Sequence, residues 1–132
     1  MARLHLVAVG SNLPAWAKSA RDDYLRRMPK GYEVELLEAK PSRIKVPENS
    51  RLVALDERGK DLSTREFAKL LAEPTAFVIG PADGLDEALK KKAFLLLRLS
   101  TLTLPHALAQ VVLAEQLYRA ATLLTGHPYH RA

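Results

Sequence analysis

A chain of 132 residues, 48% of them hydrophobic, can fill one compact core and is too short for two, so residues 1–132 are expected to form one domain. The absence of cysteine excludes disulfides, thiolate metal sites and thiol nucleophiles. A net charge of +5, from 20 Lys and Arg against 15 Asp and Glu, favours a polyanionic partner through counterion release and fits an ordinary basic surface equally well.

Leu4 to Gly10 is a short run rich in Leu and Val that ends at Gly-Ser-Asn, the pattern of a buried strand entering a loop. Trp16, Ala20, Tyr24 and Met28 then recur at helical spacing, predicting a helix from about Pro14 to Met28 that Pro29 stops. Tyr32 to Leu37 reads as a second strand, and Lys40 to Ser50, with two prolines and no period, as a connecting loop. Arg51 to Asp56 is a third strand, closed by a turn over Glu57 to Lys60. Ser63, three residues before Glu66, can satisfy the free N–H groups of a helix running to about Leu71. Thr75 to Ile79 is a fourth strand that breaks at Gly80, Asp86 caps a helix through Lys92, and Phe94 to Leu99 is a fifth strand. The last helix accepts Pro105 in its first turn and stops at Gly126. No apolar run is long enough to cross a bilayer, and the start of the chain lacks signal-peptide order, so a cytoplasmic location without a membrane partner is expected.

Strands alternating with helices predict an α/β fold with a largely parallel sheet covered on both faces. Ligands of such sheets collect beyond the carboxyl ends of the strands. Three segments leave strands there: Asp56 to Lys60, Gly80 to Gly84, and Ser100 to Pro105. The second lets backbone approach a ligand, but it lacks a P-loop's lysine and hydroxyl pair and has the composition of any strand-to-helix turn. In the third, leucines alternate with hydroxyls, which suits enclosure of a flat base and also suits a strand passing into a buried helix start.

In the final helix Glu115, Gln116, Arg119 and Thr122 form one polar stripe, and nearly everything else is apolar. Packing on a sheet needs only one apolar face, so the surplus predicts a subunit interface, with burial inside the monomer as the alternative. The chain ends His127-Pro128-Tyr129-His130-Arg131-Ala132. That ending reads as a disordered terminus, or as a tail that folds over a substrate with a base and an arginine; Pro128 argues against a metal site, and no metal is expected.

Four stretches resemble the RlmH family of SPOUT-class methyltransferases: LVAVG at 6–10, DYLRRMP at 23–29, the VIG turn at 78–80, and the run from Leu99 through TLTLPH, AEQLYRA and HPYHR. They span nearly the whole chain in the family's order. The resemblance implies a C-terminal trefoil knot that forms the cofactor pocket, a homodimer, and S-adenosyl-L-methionine-dependent methylation of N3 of a pseudouridine in 23S rRNA within the ribosome. Carried over by position, the cofactor would be held by Leu55, Gly80, Leu99, Ser100, Thr101, Leu102, Thr103 and Leu104. The tail would supply Tyr129 or His130 as proton acceptor and Arg131 for a phosphate or carbonyl, with His127 and His106 less favoured.

Two departures stand out. Pro81 occupies the place of the family's usual second glycine and removes an N–H, and the stretch between Glu38 and Arg51 is short. A non-catalytic RNA-binding or ribosome-assembly factor on the same fold is the rival reading, with Pro81 its best argument. For RNA contact the basic end of the first helix (Arg21, Arg26, Arg27 and Lys30) and Lys90 to Lys92 are the candidates, although cations also suit a helix C-terminus for its own sake.

Overall fold

The computed structural model describes residues 3–10, 12–81 and 83–129. Strand β1 (Leu4–Val9) is buried at every position, as a strand inside a parallel sheet must be. It is followed by α1 (Ala15–Arg26), β2 (Val34–Ala39), a 3-10 turn at Pro41–Arg43, β3 (Arg51–Asp61), α2 (Thr64–Lys69) with a 3-10 extension over Leu70–Ala72, β4 (Thr75–Ile79), α3 (Glu87–Lys91), β5 (Leu95–Arg98) and α4 (His106–Thr125). The strands lie in the order β2-β1-β4-β3-β5, and all neighbours run parallel.

Because side chains alternate across a strand, β1 serves two cores at once. Leu4, Leu6 and Ala8 join Phe67, Phe77, Leu113, Leu117 and Tyr118 on the face covered by α1, α2 and α4. Val7 and Val9 join Leu52, Ala54, Ala76, Val78 and Leu85 on the other face, where Leu37, Ile44, Val46 and Leu89 close the layer. Each large side chain removed from water in these layers contributes about 1.5–3 kcal/mol. Both faces are therefore covered, as the strand and helix alternation predicts. No helix among the described residues is long and apolar enough to cross a membrane.

Local signals explain the helix ends. Ser63 Oγ accepts the Glu66 N–H at 3.1 Å while Glu66 Oε1 accepts the Ser63 N–H at 2.9 Å, the reciprocal pair expected of that spacing. Asp86 Oδ1 accepts the Leu89 N–H at 2.8 Å to start α3. Gly126 stops α4 with φ of 77°, in the left-handed region where a Cβ is penalised.

One expectation is corrected. Glu57 to Lys60 does not end the third strand: Leu55 and Lys60 are both in register with Leu97, and Asp61 pairs with Arg98, so the chain bulges out and rejoins the same ladder. The reason is Gly59, at which a Cβ would lie 2.7 Å from the backbone of Leu96 and Leu97. Only glycine lets the bulge press against β5 this closely. Between β2 and β3 the chain makes the one 3-10 turn and no α-helix.

Candidate active site

The bulge after Leu55, the Gly80 turn and the segment after β5 converge at the carboxyl edge of the sheet around one open cleft of about 800 Å³. That is within the 300–1,000 Å³ or so typical of small-molecule sites. Leu55, Gly80, Leu99, Ser100, Leu102, Thr103 and Leu104 all line it, whereas Thr101 does not. Thr101 falls outside because the Leu102 N–H donates to Ser100 Oγ at 2.9 Å, folding the segment into a tight turn with Thr101 at its tip. Leu102 is 74% exposed, an apolar group at the opening that no other described residue covers. Pro81 is part of the wall, beside Asp83, Gly84 and Leu85, and the space between the three segments is open.

From the sequence, Asp56 to Lys60 is expected at the site only as a loop and Lys90 only as an RNA contact; their charges meet in the cleft lining. Lys90 Nζ lies 3.1 Å from Asp56 Oδ2 and 3.6 Å from Glu87 Oε1. The Arg58 N–H donates to Asp56 Oδ1 at 3.0 Å, and this bond, with Lys90 beside it, holds the Asp56 carboxyl below the usual carboxylate range despite its burial. Hydrogen bonding to Asp56 in turn raises the Lys90 ammonium above its ordinary value. At the rim Arg98 Nε and Nη2 donate to the two oxygens of Asp61 at 2.7 and 2.6 Å, a bidentate clamp that ties the end of β3 to β5. The one clue to this set was the position of Asp56 directly after Leu55 at a strand end; the pairing with Lys90 on α3 depends on tertiary structure.

His106, first residue of α4, also lines the cleft. Its Nε2 lies 3.2 Å from Gln110 Nε2, and Gln110 Oε1 accepts from Arg21 Nη1 at 2.7 Å. Arg21 is wholly buried, so it is withdrawn from the basic RNA-facing cluster expected at the end of α1. Arg26 and Arg27 are exposed there and both pair with Asp23, and Lys30 is exposed beyond them. Lys90 and Lys91 both line the cleft, and Lys91 and Lys92 are exposed on α3 and its C-cap.

The tail is only partly within view, because His130 and Arg131 lie outside the described residues. Tyr129 does not line the cleft. Its hydroxyl donates to Glu115 Oε2 at 2.8 Å and its ring meets Tyr118 edge-on at 4.6 Å. Glu115 is nine residues past His106 on α4, about 14 Å along the helix axis. Partial burial, then the bonds with Tyr24 and Glu115, push the Tyr129 phenol well above its ordinary value of 10.0. As placed, Tyr129 is a donor that anchors the tail and is unsuited to accepting a proton.

The chain matches the family model described as "Predicted SPOUT methyltransferase" over residues 2–130. It is 47% identical over 155 residues to the ribosomal RNA large subunit methyltransferase H of Burkholderia mallei strain SAVP1, covering 98% of this chain and 99% of that protein. The protein of the same name from Burkholderia thailandensis is 46% identical over the same extent. The alignment is longer than the 132 residues of this chain, so these relatives carry residues that it lacks. A solved structure, a probable methylase family protein from Haemophilus influenzae Rd KW20, superposes with a TM-score of 0.62 at 12% identity, covering 99% of this chain and 71% of that one; the likeness concerns the fold.

Proposed function

The chain belongs to the SPOUT methyltransferases and, within them, to the family of ribosomal RNA large subunit methyltransferase H, and we propose that it transfers a methyl group from S-adenosyl-L-methionine to N3 of a pseudouridine in 23S rRNA on the assembled ribosome. The observation that carries this reading is the convergence of the β3 bulge and the exits of β4 and β5 on one cleft, at the sheet edge where such folds bind ligands.

The lining fits an adenosyl group with a charged tail. Leu55, Leu99, Leu102 and Leu104 offer apolar surface for a flat base, the turns offer backbone N–H and C=O groups, and Asp56 with Lys90 offers one charge of each sign. When bound, S-adenosyl-L-methionine supplies an electrophilic methyl carbon, so the protein's part is largely to hold two reactants in line and exclude water. The N3 proton of the target ring is only weakly acidic, and a base near it speeds the reaction. That role goes to His130 in the proposal, with Arg131 on a phosphate or carbonyl oxygen and Tyr129 as the anchor.

A homodimer is also proposed. Leu108 near the start of α4 and Leu124 near its end are exposed, and Trp16 on α1 is 57% exposed. Covering such groups is what an isologous interface does. The family's knot is part of the same proposal. From β5 at the sheet edge the chain passes through Leu99 to Pro105 and returns as α4 to pack on α1 and α2, the kind of re-entry a knot requires.

Calorimetry with S-adenosyl-L-methionine and mass spectrometry of 23S rRNA from cells with and without the protein test the reading. Binding, and loss of one methylated pseudouridine in the deletion, are expected. Pro81 in the cleft wall favours the rival, a non-catalytic rRNA-binding factor, which predicts no cofactor binding and unchanged rRNA. His130→Ala with Arg131→Ala should cut methylation strongly at nearly unchanged cofactor affinity; an unaltered rate removes the tail from the mechanism.

A further inference from the structure

We propose that His106 is a hydrogen-bond donor to a ligand oxygen in the cleft, with its proton fixed on Nδ1 by a chain of hydrogen bonds from the buried Arg21 through Gln110. The polarity of that chain follows from chemistry. A guanidinium has donors only, so the Gln110 atom 2.7 Å from Arg21 Nη1 is the carbonyl oxygen. The amide nitrogen of Gln110 therefore faces His106 Nε2 at 3.2 Å and donates to it. An accepting Nε2 leaves the single proton of the neutral ring on Nδ1. A second proton, or the other tautomer, would set two donors against each other.

Nδ1 is the free end of the chain. It has no partner among the described residues and is not among their buried unpartnered atoms, and the ring lines the cleft. At the other end Arg21 is wholly buried, with Nη2 unpartnered and Asp22 Oδ1 as its ion-pair partner, 2.9 Å from Nε. Burying a guanidinium with an unused donor is costly, and an apolar side chain would fill the space between α1 and α4 without that cost. Fixing Gln110 gives the burial a purpose. Arg21 and Gln110 are positioning residues that act through His106.

The ligand group addressed is an acceptor oxygen, either the carboxylate of the methyl donor or a carbonyl of the target base. The inference rests on the reading of this cleft as the methyl-transfer site, and its test separates the two. In protein with 15N-labelled histidine, two-bond proton–nitrogen couplings report which ring nitrogen of His106 carries the proton. The wild-type chain should show it on Nδ1. Gln110→Glu keeps a partner for Arg21 but can only accept from His106, so the proton should move to Nε2. His106→Ala removes the donor, and His106→Asn retains one at the δ position.

Gln110→Glu and His106→Ala should each lose about tenfold or more, the equivalent of about 1.4 kcal/mol, and His106→Asn should recover most of it. A loss in calorimetric affinity for S-adenosyl-L-methionine identifies the carboxylate. A loss in single-turnover methylation of rRNA at saturating cofactor identifies the base carbonyl. A proton on Nε2 in the wild-type chain overturns the proposal, as does wild-type affinity and rate in both Gln110→Glu and His106→Ala. Failure of the wild-type chain to bind S-adenosyl-L-methionine sinks the methyltransferase reading, while the couplings still decide the tautomer.

Discussion

At Gly59 a hydrogen in place of a methyl group decides whether β3 can touch β5 where the cleft begins. A Cβ there would lie 2.7 Å from Leu96 and Leu97 backbone atoms, which cannot rotate aside as a side chain would. Gly59→Ala should therefore destabilise the fold by about 1–3 kcal/mol, the usual cost of overpacking, seen as a lower midpoint in urea. Asp56 makes a prediction in pH. Its folded pKa is depressed below 3.8, so its contribution to stability is complete above that value and is lost as pH falls toward the folded one. Lys90, raised above 10.5, contributes fully below that value and loses its contribution as pH rises through the folded one. Asp56→Asn should flatten the acid limb of a stability–pH curve measured by chemical denaturation; a limb of unchanged slope would show that the pair is not formed in solution.

The elements differ in how far their sequence reveals them. Helix α2 is named by its own start signal, and Ser63→Ala should cost about 1 kcal/mol by loss of the N-cap bond, measurable by thermal melting. Strands β1 and β4 are equally plain, because burial on both faces writes itself as an unbroken apolar run. The extension of β3 through Asp61 is hidden. Glu57-Arg58-Gly59-Lys60 has the composition of a turn, and it stays in the ladder only through β5, some 40 residues downstream. The same limit applies to the site. Its backbone and leucine lining follows largely from strand exits, which are local, and His106 with Gln110 is a local pair on α4, while Asp56 with Lys90 and Gln110 with Arg21 are joined only by folding. Arg21 shows the hazard: beside Arg26 and Arg27 in the sequence it looks like part of a basic patch, and helical geometry turns it inward beneath α4.

For the molecule as a whole, charge and association can be measured directly. If the exposed Arg26, Arg27, Lys30, Lys91 and Lys92 touch phosphates, affinity for ribosomal particles should fall linearly on a log–log plot against salt, and charge-neutralising variants should reduce the slope. A flat salt response would assign these residues to helix ends and solubility. Leu108→Lys with Leu124→Lys should convert a dimer to a monomer in analytical ultracentrifugation while leaving far-ultraviolet circular dichroism unchanged, since both side chains point away from the core. A monomeric wild-type chain would remove the interface from the proposal.

The central place of β4 also bears on how the protein is made. Leu4 pairs with Thr75 and Arg51 pairs with Thr75 as well, so β1 and β3 have no direct bond to each other and wait for a strand that leaves the ribosome tunnel well after β1. Until then two apolar edges stand open, and closure demands a loop of some 70 residues. Refolding should accordingly take milliseconds to seconds, not microseconds, in stopped-flow fluorescence of Trp16, and nascent chains halted before Ile79 should be prey to proteases and chaperones.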